Sequence, residues 1–66
     1  QKQILKNIYL SFFYGAKIPT GATYSLYSVE GALLAQGTIA HGTLTLSLER
    51  GNYLLSINGS TLKIAF

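Results

Sequence analysis

Between positions 43 and 57 the chain reads TLTLSLERGNYLLSI, with apolar residues at every second position on either side of a glycine corner. Leu44, Leu46 and Leu48 alternate with Thr43, Thr45 and Ser47, so an extended backbone puts three leucines on one face and three hydroxyls on the other. After Glu49, Arg50 and Gly51, the residues Tyr53, Leu55 and Ile57 repeat the period. A helix would scatter these side chains around its axis, whereas two half-buried strands on a common core bury them together. The stretch predicts a β-hairpin over 43–57, and the rest of the chain is arranged around it.

The same period recurs elsewhere. Ile8, Leu10 and Phe12 alternate with Tyr9, Ser11 and Phe13, which predicts a first strand rich in aromatic and β-branched residues. The segment 4–16 around it resembles a signal-peptide core, but Lys6, Asn7 and Ser11 interrupt it and it is too short to span a bilayer. Gly15, Pro19 and Gly21 mark the longest loop. A second strand over 22–29 has Tyr24 and Leu26 on one face and Thr23, Ser25 and Tyr27 on the other. Glu30-Gly31 then turns the chain into a third strand over 32–39, where adjacent Leu33 and Leu34 point oppositely, so that one of them covers the second face, and Gly37 predicts a bulge or a close backbone approach. His41-Gly42 is the turn into the leucine strand, and Asn58-Gly59 is a type I′ hairpin signal leading to a last strand over 61–66.

The turn glycines at 31, 42, 51 and 59 are separated by 11, 9 and 8 residues, the spacing of an all-β sandwich or barrel. Six strands in 66 residues make a small antiparallel sandwich the first expectation and a small barrel the second. A chain of this length is read as one domain, 1–66, whose core is thin because it buries only about 60% of its unfolded surface. It has no cysteine, so no disulfide supports it. Charged residues are 11% and hydrophobic residues 48%, leaving a surface of Ser, Thr, Asn, Gln and Tyr that suits an extracellular or periplasmic module. The chain contains no Met, and we expect it to be a processed piece of a longer protein.

Chemistry-bearing residues are sparse. The net charge is +3, but Lys2, Lys6, Lys17, Arg50 and Lys63 form no run, so no nucleic-acid partner is expected. His41 is the only histidine and precedes a turn glycine; a metal site would need further His or Cys ligands. Glu30 and Glu49 sit in or beside turns, and no Gly-x-Ser-x-Gly elbow or phosphate loop occurs. The expectation is a non-enzyme without cofactor or metal. Tyr9, Tyr14, Tyr24, Tyr27 and Tyr53 are either core and edge material or a stacking platform for sugars or bases.

Three segments resemble a known family. Leu26-Tyr27-Ser28-Val29-Glu30-Gly31, with Ala32-Leu33-Leu34 and Gly37, resembles the I-Y-D-x-x-G-(K/R)-x-(V/L) hairpin of the C-terminal sorting domains of the type IX (Por) secretion system of Bacteroidetes. Leu46 to Ile57 resembles that family's I-x-L-x-x-G-x-Y-x-(V/L)-x-I element, and Leu62-Lys63-Ile64-Ala65-Phe66 its terminal K-(I/L)-x-(I/V) strand. The resemblance covers 23–66; Ser28 stands where the family usually has Asp, and the Pro-Asn-Pro opening is missing, so 1–22 lies outside it.

The resemblance implies an immunoglobulin-like module at the end of a cargo protein, with Tyr27, Gly31, Gly51, Tyr53 and Lys63 as recognition positions. It implies outer-membrane secretion machinery and a sortase-like peptidase as partners, and passage through the periplasm to the cell surface or beyond. The alternative is a small secreted immunoglobulin-like binding or adhesion module with a tyrosine-rich ligand face. Because the first and last strands are apolar and no disulfide is present, a homodimer through strand edges is also expected.

Overall fold

The structure, a computed structural model, describes residues 4–66. Its strands are β1 (Lys6–Leu10), β2 (Phe12–Phe13), β3 (Ala16–Lys17), β4 (Ala22–Ser28), β5 (Leu33–Ile39), β6 (Leu44–Leu48), β7 (Asn52–Ile57) and β8 (Ser60–Ala65), and no helix occurs among the described residues. A four-stranded antiparallel sheet runs in the order β5-β4-β7-β8, a two-stranded one joins β1 to β6, and β2 and β3 make a short hairpin. The six longer strands are those expected from the alternation.

The two larger sheets share one apolar core. Across the four-stranded sheet, Ala35, Leu26, Leu55 and Leu62 form one cross-strand row, and its middle pair, Leu26 and Leu55, are the most deeply buried side chains, at 1% and 0% exposure. Fully burying a leucine is worth about 1.5–3 kcal/mol, so each of these two is a substantial part of a small core. From the other sheet Leu44, Leu46 and Leu48 supply a buried stripe, with half-buried Ile8 and Leu10 opposite Leu46 and Leu44 on β1. The outward positions of that pair are polar, and Ser47 Oγ donates to Asn7 Oδ1 directly across it.

The hairpin expected over 43–57 does not form. β6 pairs with β1, and β7 pairs with β4 and β8, so the link 49–51 leaves one sheet and enters the other. Alternation states which face of a strand is buried; it is silent on whether two successive strands share a sheet or face each other across the core. Leu44, Leu46, Leu48, Leu55 and Ile57 do share one core, as the pattern requires.

The other departures are local. Ser11 is a bend, so the inward series runs Ile8, Leu10, Phe13 and leaves Phe12 57% exposed, reversing the expected faces of the two phenylalanines. The expected loop at 15–21 instead begins inside the β2–β3 hairpin, whose turn residues Tyr14 and Gly15 both have positive φ, and it buries Ile18. The bulge falls between Leu26 and Tyr27, opposite Leu33 and Leu34, not at Gly37. Leu33 and Leu34 both remain about half exposed, so neither covers the second face. Gly37 does mark a close approach, made by a ring: it lies opposite Tyr24, and a Cβ there would sit 3.2 Å from Tyr24 Cε1. The Asn58-Gly59 turn joins β7 to β8 as expected, both residues at positive φ.

Candidate functional site

The strand register gathers the five positions expected from the motifs, Tyr27, Gly31, Gly51, Tyr53 and Lys63, at one end of the four-stranded sheet. Tyr27, Leu54 and Lys63 form a cross-strand row on its outward face, and Ser28, Tyr53 and Ile64 form the next row, facing inward. Beyond them lie the β4–β5 turn with Gly31 and the pairing of Gly51 with Phe66. All five therefore sit where β4 ends, β7 begins and β8 ends.

Each position has a local physical reason. At Gly31 φ is +95°, a conformation that costs a residue with a Cβ about 1–2 kcal/mol. The turn is closed by Gly31 N–H donating to Ser28 C=O at 3.0 Å and Ser28 N–H donating to Ala32 C=O at 2.9 Å. Ser28 Oγ accepts from Ala32 N–H at 3.2 Å, a side-chain bond to the backbone across the turn. Gly51 and Phe66 exchange both backbone bonds at 3.1 Å, extending the β7–β8 ladder by one pair.

Tyr53 holds the link between the sheets. Its hydroxyl donates to Glu49 C=O at 2.7 Å, spanning the turn from β6 to β7, and its ring stacks on Phe66 with centroids 6.4 Å apart. Phe66 in turn lies under Lys6 Nζ, 5.6 Å from the ring centroid, close enough for a cation–π attraction. Ile4, Lys6, Arg50 and Phe66 line an open groove of about 480 Å³ at this end. Lys6 and Arg50 are far apart in the chain, and the β1–β6 pairing is what brings them together. Sequence order alone hides such a juxtaposition, which depends on a pairing 40 residues apart in the chain at Asn7 and Ser47.

The remaining candidates are dispersed. No group of three or more His, Asp and Glu comes together among the described residues, and His41 is exposed beside Gly42. The tyrosines do not share a face. Tyr9 points outward from β1 and Tyr27 from β4, Tyr14 sits in the β2–β3 turn, and Tyr24 and Tyr53 pack against the core. Comparison of the chain with family models, with curated proteins and with solved structures finds no match.

Proposed function

We propose that this chain is a non-catalytic, immunoglobulin-like β-sandwich module that acts as a C-terminal sorting and anchoring signal, carrying a cargo protein across the outer membrane through a type IX secretion system. The observation that carries this reading is the convergence of Tyr27, Gly31, Gly51, Tyr53 and Lys63 on the end of the sheet where β8 finishes. Three motifs spread over about 40 residues thereby meet at one end of the sheet, with Tyr27 and Lys63 on its outward face, which a translocon or a sortase-like peptidase would meet, and Tyr53 inward, holding that end in place.

One further feature supports the finer fold. A tyrosine hydroxyl bonded to a backbone carbonyl four residues upstream, across a link between two sheets, is the tyrosine-corner arrangement of immunoglobulin-like sandwiches, and Tyr53 with Glu49 has that form. The departure at Ser28 is chemically mild, because its hydroxyl makes the turn-closing bond.

The test is a fusion of the 66 residues to the end of a periplasm-compatible reporter, expressed in a bacterium that has this secretion system. The reporter is expected at the cell surface or in the medium. Intact fusion held in the periplasm overturns the reading. A charge or shape change at the convergent end, Lys63→Glu combined with Tyr27→Ala, is expected to reduce export while leaving the β spectrum of the isolated domain unchanged.

A further inference from the structure

The two ends of the sandwich carry different chemistry. The chain's two acidic residues, Glu30 and Glu49, sit in the β4–β5 turn and the β6–β7 link, at the end where the motif residues meet. At the opposite end three connections come together: the bend at Ser11, the segment 17–20 and the turn 41–43. Pairing of Leu10 with Leu44 and of Ala22 with Ile39 brings them side by side. Ser11, Lys17, Ile18, Thr20, His41 and Thr43 line a cleft of about 510 Å³ there, within the range of about 300–1,000 Å³ that small-molecule sites occupy.

The cleft stands on a fixed floor. Ile18 is buried and its N–H donates to Ser11 C=O at 3.1 Å, while Gly21 N–H donates to Ile39 C=O at 2.8 Å, so 17–20 is tied to both neighbouring connections. Gly42 packs against the same segment, since a Cβ there would sit 3.4 Å from the Ile18 carbonyl oxygen. The polar groups of the cleft are mostly donors in want of an acceptor. Lys17, Thr20 and His41 make no side-chain hydrogen bond among the described residues. The hydroxyls of Ser11 and Thr43 share one bond at 3.3 Å, which uses one of their two protons and leaves the other to donate elsewhere. No carboxylate among the described residues lines the cleft, so nothing there repels or competes with an anion.

We infer that this cleft binds a hydroxylated small molecule carrying a phosphate or sulfate ester, of the size of a sugar phosphate. Lys17 and His41 take the oxyanion, and the hydroxyls of Ser11, Thr20 and Thr43 take the ligand's own hydroxyls. The anion follows from the charges that line the site. The body follows from its size, which exceeds what a bare oxyanion fills, and from hydroxyls that both donate and accept. Phe12 lies directly across from Lys17 in the β2–β3 register and is 57% exposed, so a ring stands beside the ammonium on the same face and offers apolar surface to the ligand's carbon skeleton. The groove of Lys6, Arg50 and Phe66 lacks this combination, because no hydroxyl side chain lines it and Glu49 adjoins Arg50 in the chain. Polar groups on connections held by a rigid scaffold are well placed for binding. This inference is independent of the sorting role.

The experiment titrates the 66-residue chain with glucose 6-phosphate, glucose 6-sulfate, glucose and inorganic phosphate in about 0.15 M salt, following backbone amide shifts by NMR. Saturable shifts confined to Ser11, 17–20 and 41–43 are expected with one or both esters, about tenfold or more tighter than with glucose or inorganic phosphate. Which ester binds identifies the source of the oxyanion. Lys17→Met, at an exposed position, is expected to weaken binding about tenfold or more while retaining the β spectrum. Gln36→Glu lowers the net charge by the same unit at an exposed position on β5 and is expected to change binding by less than about twofold, because salt screens charges beyond about 8 Å. Moving from about pH 8 to about pH 5.5 is expected to favour binding more in the unmodified chain than in His41→Gln, Lys17 being the other charged group that lines the cleft. No saturation with either ester, shifts centred elsewhere, equal affinity for glucose or inorganic phosphate, or equal weakening by Gln36→Glu and Lys17→Met overturns the assignment. If Lys17→Met fails to fold, the site of the shifts and the ligand ranking in the unmodified chain still decide.

Discussion

Tyr53 carries two separable contributions, one from its hydroxyl and one from its ring. Tyr53→Phe keeps the stack on Phe66 and loses the bond to Glu49 C=O, so it is expected to cost about 1 kcal/mol in denaturant unfolding. Tyr53→Ala also removes the half-buried ring and is expected to cost about 3 kcal/mol or more. Equal costs for the two would mean that the ring contributes nothing. Gly37 gives a second residue-level expectation. Because the Tyr24 ring lies against the space a Cβ would occupy, Gly37→Val should displace that ring and destabilise the domain by about 1–3 kcal/mol, read as a shift of the Tyr24 ring resonances together with a lower urea midpoint. The sequence marks Gly37 as a place of close approach because glycine inside a strand pattern is otherwise unfavourable. It cannot name the approaching group, since Tyr24 becomes its neighbour only through the β4–β5 register.

At the scale of elements, the row of Ala35, Leu26, Leu55 and Leu62 carries the sheet. A chain of this length has a total stability of roughly 3–10 kcal/mol. Leu55→Ala removes a side chain with no exposed surface at a cost of about 2–5 kcal/mol, comparable to the whole. That variant is expected to be largely unfolded at 25 °C by circular dichroism, whereas Leu34→Ala on the open edge should change monomer stability by well under 1 kcal/mol. Strand positions were readable because a half-buried strand imposes its period of two on five or more residues. The β2–β3 hairpin was not, as strands of two residues are too short to have a period. The link 49–51 departs from the expected hairpin for a different reason: a hairpin and an inter-sheet crossing can both follow a short glycine-containing break, and only the partners of β6 and β7 separate them.

At the scale of the whole molecule, β8 forms one edge of the four-stranded sheet, where the Tyr14 hydroxyl donates to Thr61 C=O and Lys63 supplies the only charge on the strand. Tyr14→Phe combined with Lys63→Thr removes that bond and that charge and is expected to increase self-association, seen as scattering that grows with time and concentration; an unchanged mass would show that both are dispensable. The end where the motif residues meet is only partly legible in the sequence. Tyr27, Gly31, Gly51, Tyr53 and Lys63 can be picked out from three short motifs, but their meeting at one end depends on β4, β7 and β8 lying side by side. The groove of Lys6, Arg50 and Phe66 has no sequence signature at all. What the amino-acid order determined by itself is the all-β character, the strand positions, most turns and the side chains that face inward, because each depends on residues within a few positions of one another. Sheet membership and the crossing between sheets were decided by tertiary structure, because backbone hydrogen bonds are chemically alike along every strand. Which strands pair is settled only when the apolar faces close on one core.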